Sequence, residues 1–151
     1  MKNFTDFEIE KLTQSLPSIR KIAGWSSEEL GELIGVTKQT ISNIETRKSK
    51  MSKTQYIAIR TVIDYEILEH PENELLSHVV AILLDSDDSP EEEEKAKATI
   101  EMLDKTPKSA ITSGALAGVG ALLALLATPT VAPALTPVIL ASSKWLRKIL
   151  K

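Results

Sequence analysis

With 151 residues, 42% of them hydrophobic, and a formal net charge of −3, the chain has room for one ordinary domain plus appendages. It contains no cysteine, which excludes disulfides and thiolate metal sites. Only 4% of residues are aromatic and strand-type alternation is nearly missing, so the expected fold class is all-α. Charge is segregated along the chain. Residues 1–70 hold ten cations and ten anions, residues 71–108 four cations and eleven anions, and residues 109–151 four cations and no anion.

In chain order, Met1-Lys2-Asn3-Phe4 is not followed by the apolar core of a signal peptide, so the expected location is the cytoplasm. A helix over about 5–23 places Ile9, Leu12, Leu16, Ile19 and Ile22 on one stripe, with Pro17 expected to end one helix there and start another. Two short helices follow, at about 26–34 and 37–47. Ser26 can cap the first, with Glu28 and Glu29 in its opening turn and Leu30, Leu33 and Ile34 at helical spacing. Gly35 supplies the left-handed residue that stops it, and Thr37 caps the second. Ile41 and Ile44 face the core, which leaves Lys38, Gln39, Thr40 and Asn43 outside, on a helix of the kind that fits the major groove of DNA. Between Lys38 and Lys53 there are five cations (Lys38, Arg47, Lys48, Lys50, Lys53) against one acid, Glu45, as a phosphate-tracking edge requires.

These residues carry a resemblance. Over about residues 12–68 the chain resembles the helix-turn-helix domain of the Cro/lambda-repressor (XRE) family: Arg20 four residues before Gly24, a polar-capped helix from Ser26 to Ile34, Gly35-Val36-Thr37, a recognition helix from Lys38 to Asn43, and Ile44-Glu45. The resemblance implies a scaffold pair between Arg20 and Glu45. It also implies base reading by Lys38, Gln39, Thr40 and Asn43, and phosphate contacts from Ser27, Thr37, Ser42, Arg47, Lys48, Lys50 and Lys53. Two positions depart from the family pattern. Ser27 stands where many members carry a phosphate-binding glutamine, and Thr46-Arg47 replaces the usual Asn-Gly, which suggests a different exit from the recognition helix.

Ser52-Lys53-Thr54-Gln55 is a capping box opening a helix that buries Tyr56, Ile59, Ile63 and Ile67. A fifth helix is expected from Pro71, with Leu75, Leu76, Val79, Val80, Ile82, Leu83 and Leu84. It is apolar over more than one face, which favours a homodimer. After Asp85-Ser86-Asp87-Asp88, Ser89-Pro90 opens an acidic helix to about Lys105. Its thin stripe of Ala96, Ile100 and Leu103 reads as a solvated spacer rather than a docking surface. Ser109 to Ser143 are 35 consecutive uncharged residues, with a Gly114-x-x-x-Gly118 step and prolines at 129, 133 and 137. Lys144-Trp145-Leu146-Arg147-Lys148 then carries the cation-plus-tryptophan signature of a membrane interface. A hairpin turning near Thr128-Pro129-Thr130 would put both ends on the cytoplasmic face of a membrane; a soluble oligomer core would accept the same residues.

The expected organisation is a five-helix, lambda-repressor-like DNA-binding domain (1–84), an acidic linker with a short helix (85–108), and an apolar Gly/Ala/Leu-rich segment (109–151) that enters a membrane or oligomerises. No nucleophile–base–orienter set, phosphate loop or metal cluster is visible, and His70 and His78 read as structural or surface residues. No enzyme, cofactor or metal is implied. The leading expectation is a dimeric, repressor-like transcriptional regulator that binds double-stranded DNA. A structural DNA-anchoring protein and an antitoxin-like module whose tail binds a partner protein are the alternatives. The membrane contact would run through residues 110–148.

Overall fold

The computed structural model describes residues 4–86, 88–107, 145–147 and 149–150. Among them it is helical with no strand: α1 (Phe4–Ala23), α2 (Ser27–Ile34), α3 (Lys38–Glu45), α4 (Lys53–Glu69), α5 (Glu74–Leu83) and α6 (Pro90–Lys105). Residues 145–147 and 149–150 are also helical. The expectations for residues 110–143, including the glycine step, the proline breaks and the hairpin turn, lie outside the described residues. Among the described residues no helix is long and apolar enough to cross a membrane.

α1 runs unbroken through Pro17, contrary to the expected division. A proline inside a helix removes one hydrogen bond and costs about 3 kcal/mol. Leu12 and Leu16 before it and Ile19 and Ile22 after it are all buried on one stripe. Each such burial contributes about 1.5–3 kcal/mol, so packing on both sides outweighs the defect. α4 starts at the expected capping box: Gln55 N–H donates to Ser52 Oγ at 3.1 Å, and Ser52 N–H donates to Gln55 Oε1 at 2.9 Å. α5 starts later than expected. Pro71 lies in a turn, and Asn73 is the cap, accepting from Leu76 N–H at 3.3 Å while its Nδ2 donates to the Ile22 carbonyl at 3.1 Å.

Leu75, Leu76, Val79, Val80, Ile82, Leu83 and Leu84 are all buried within the chain. The surplus apolar face of α5 is therefore covered without a second copy, which removes the ground on which a dimer was expected. Its cover is α6, which packs on α5 and α1 instead of standing off as a spacer. Leu103 and Thr99 are fully buried, and Ala96, Ile100 and Met102 pack beside them. Thr99 is dry because its hydroxyl donates to the Lys95 carbonyl in its own helix at 2.7 Å. Counting it as apolar turns the thin stripe into a full face at 96, 99, 100 and 103. Lys21 of α1 donates from Nζ to the carbonyls of Leu103, at 2.8 Å, and Thr106, which sets a cation at the α6 C-terminus, where the helix dipole favours it.

Trp145 is a further correction. It was expected at a membrane interface, yet it is 7% exposed, packed against Tyr56 and hydrogen-bonded to Asp64 of α4. An indole carries a large apolar body with one donor, and a buried acceptor beside an aromatic ring serves it as well as headgroups do.

Candidate nucleic-acid interface

The α2–α3 pair is built from short-range signals. Ser26 and Glu29 form a capping box at 3.0 and 2.6 Å. α2 ends at Gly35 (φ 78°), where Val36 N–H donates to the Gly31 carbonyl at 2.8 Å and Gly35 N–H to that of Glu32 at 3.4 Å. This is a Schellman turn, and its left-handed residue favours glycine. Gly31 has a different reason: a Cβ there would lie 2.7 Å from the Val36 carbonyl oxygen, so only glycine lets α2 pass the turn leading into α3. Thr37 caps α3, accepting from Thr40 N–H at 3.1 Å, and its Oγ1 lies 3.0 Å from Thr40 Oγ1.

Ile41 and Ile44 are fully buried, which fixes the roll of α3 on the core. The helical period then sets Gln39 and Asn43 opposite them, facing away from the protein. Their amides are joined, Gln39 Nε2 donating to Asn43 Oδ1 at 2.9 Å. Lys38 and Gln39 are exposed, while Thr40, Ser42 and Asn43 are half-buried. Of the other hydroxyls expected at phosphate, Thr37 is exposed but already engaged as the cap, and Ser27 is half-buried in the first turn of α2.

Arg20 holds this pair on α1. Its Nε donates to Glu45 Oε1 at 2.7 Å, its Nη2 to Glu45 Oε2 at 3.1 Å and its Nη1 to the Trp25 carbonyl at 3.0 Å. This bidentate fork is the scaffold pair implied by the resemblance.

α3 ends at Glu45, earlier than expected, with Thr46 as its cap. Arg47 takes the left-handed conformation (φ 61°), the only non-glycine among the described residues to do so. Lys48 and Ser49 N–H groups donate to the Asn43 carbonyl at 2.8 and 3.1 Å, which closes the exit. Arg47, Lys48, Lys50 and Lys53 are all exposed. Two of them are ion-paired with α1: Arg47 with Glu10, and Lys50 with Asp6 at 2.9 Å. Lys38, Lys48 and Lys53 have no ion-pair partner among the described residues. A charge count along the chain carries no sign of these two carboxylates, because Asp6 and Glu10 lie 44 and 37 residues from their partners. Met51 was likewise missed; it is 1% exposed and plugs the α3–α4 loop into the core.

Among the described residues no group of acids and histidines could hold a metal ion. His70 sits exposed at the end of α4, with Nδ1 2.9 Å from Glu72 Oε1, and His78 Nδ1 lies 2.7 Å from the Glu74 carbonyl. The hydrogen bond to Glu72, and then the charge of Glu66, raise the His70 pKa above its ordinary value.

No curated protein and no solved structure matches the chain. Residues 18–69, about a third of its length, match the family model described as Helix-turn-helix, and this stretch contains Arg20, α2, α3, Glu45 and α4. This part of the chain is a DNA-binding helix-turn-helix domain of the Cro/lambda-repressor (XRE) type.

Proposed function

We propose that the chain is a sequence-specific, repressor-like transcriptional regulator. The observation that carries this is the Gln39–Asn43 amide pair on the outer face of α3, set above a buried Ile41/Ile44 face and followed by an exposed cationic loop. Gln39 and Asn43 present the donors and acceptors that pair with adenine in the major groove, and Lys38 and Thr40 flank them. Arg47, Lys48, Lys50 and Lys53 meet phosphate on one side, with Ser27, Thr37 and Ser42 as neutral donors along the same edge. The DNA-binding unit takes in residues 1–84, and the uncharged residues 109–143 give the regulator a second attachment, to a membrane or within an oligomer. The 35-residue uncharged stretch also favours a second reading, a DNA-anchoring protein that uses the same surface.

Selection of bound sites from random DNA tests the proposal. Gln39→Ala is expected to cost about 1–3 kcal/mol on the selected site and little on random DNA. Equal loss on both would remove Gln39 from base reading. A palindromic selected site would show two copies reading together, and sites clustered away from promoters would favour anchoring.

A further inference from the structure

We propose that Tyr56, Arg60 and Asp64 form a receptor on α4 for the Trp145 indole, and that this contact is a releasable latch joining the C-terminal end of the chain to the DNA-binding domain. The three receptor residues are spaced four apart, so they line one stripe of α4. The indole meets all three at once. Its Nε1 donates to Asp64 Oδ2 at 2.7 Å, its ring stands edge-on to Tyr56 with centroids 5.8 Å apart, and the Arg60 guanidinium carbon lies 5.3 Å from its centroid. Ile149, one turn later, is 2% exposed, so the contact is a helical face and not a single side chain.

What makes the latch releasable is the chemistry it seals. Arg60 is 1% exposed, and although Nη2 donates to Asp85 Oδ1 at 2.9 Å, its Nε and Nη1 have no hydrogen-bond partner among the described residues. Burial pushes the Asp64 carboxyl up, with Arg60 and the indole bond working against it. The closed contact gains aromatic and apolar packing but keeps the Arg60 guanidinium incompletely satisfied and the Asp64 carboxylate buried. Opening returns both to water. The two effects oppose each other, so the latch opens more easily than α4 unfolds. Residues 109–144 directly precede Trp145 in the sequence, so a capturing surface must either leave that end on α4 or draw the indole out.

The test uses the full-length chain with Trp25→Phe, which leaves Trp145 as the one tryptophan. Its emission should be blue-shifted, shielded from acrylamide and unchanged by dilution. Asp64→Leu, which removes the acceptor, should raise quenching several-fold; Asp64→Asn, which keeps an acceptor oxygen, should leave Trp145 shielded. The indole N–H should exchange with deuterium at a lower denaturant concentration than the Ile59 and Ile63 amides. Solvent-like emission would overturn the receptor, as would shielding indifferent to Asp64→Leu. Loss of shielding on dilution would assign the indole to a second copy and overturn the intrachain latch. Exchange only together with the Ile59 and Ile63 amides would overturn release.

Discussion

Residues 26–45 are held largely by neighbours within five positions: Ser26 with Glu29, Thr37 with Thr40, Gly31 with Val36, Gln39 with Asn43. Elsewhere in the molecule, Lys21 reaches the Leu103 carbonyl across 82 positions and Asp64 reaches Trp145 across 81. The first kind of contact forms with little loss of chain freedom. The second must first close a long loop, so it depends on the rest of the fold being in place. The surface assigned to DNA thus takes its local shape from short-range contacts and is seated on the fold by Arg20 and the buried Ile41 and Ile44, whereas the C-terminal attachments rest on long-range contacts alone.

Paired core truncations probe this contrast hardest. Leu103→Ala in α6 and Ile44→Ala in α3 remove side chains that are both fully buried, and each is expected to cost about 2–5 kcal/mol in urea unfolding. A loss below about 1 kcal/mol for Leu103→Ala would return α6 to the role of a spacer. Gly31→Ala comes next. The added methyl meets backbone rather than a flexible side chain, so about 1–3 kcal/mol of destabilisation is expected, read from the same unfolding curves.

The two α1 carboxylates give a smaller effect of opposite sign. If Arg47 and Lys50 meet phosphate, Glu10 and Asp6 compete with the DNA for them. An exposed pair is worth about 0.2–1 kcal/mol, so Asp6→Asn and Glu10→Gln should each tighten binding about 1.5- to 5-fold at low salt. Unchanged affinity in both variants, with weaker binding by Lys48→Ala, would confine the phosphate contacts to the cations without α1 partners. The smallest expected effect is that of His70. Its folded pKa is raised, so its stabilising contribution is fully present below the ordinary imidazole value and is lost as pH rises through the folded one. Melting curves of His70→Ala should match those of the parent at high pH and fall slightly below them in acid. A proton-NMR titration of His70 that shows no upward shift would contradict this.

The same contrast explains what was legible in the sequence. Ser26, Thr37, Ser52 and Ser89 announce their helices because a cap and its partner are three residues apart. The Arg20–Glu45 clamp was readable through its family pattern. Continuity through Pro17 was not, because the local rule is overruled by packing on both sides of the proline. The docking of α6 was hidden by Thr99, polar by type yet satisfied within its own helix. Trp145 carried a true signal, an amphipathic ring in need of an acceptor, but nothing near it in the sequence names Asp64. For the candidate DNA surface, the residues facing outward from α3 could be read from the period, whereas the carboxylates on two of the cations could not.

Arg47 carries a consequence for anyone selecting variants of this chain. A left-handed backbone costs an L-residue about 1–2 kcal/mol, and glycine would adopt φ 61° freely. A screen that scores only heat resistance should therefore return Arg47→Gly as an improvement. It would also delete a cation at the exit of α3, so a library ranked by melting temperature would drift away from DNA affinity at this one position, and both properties must be scored together to keep it.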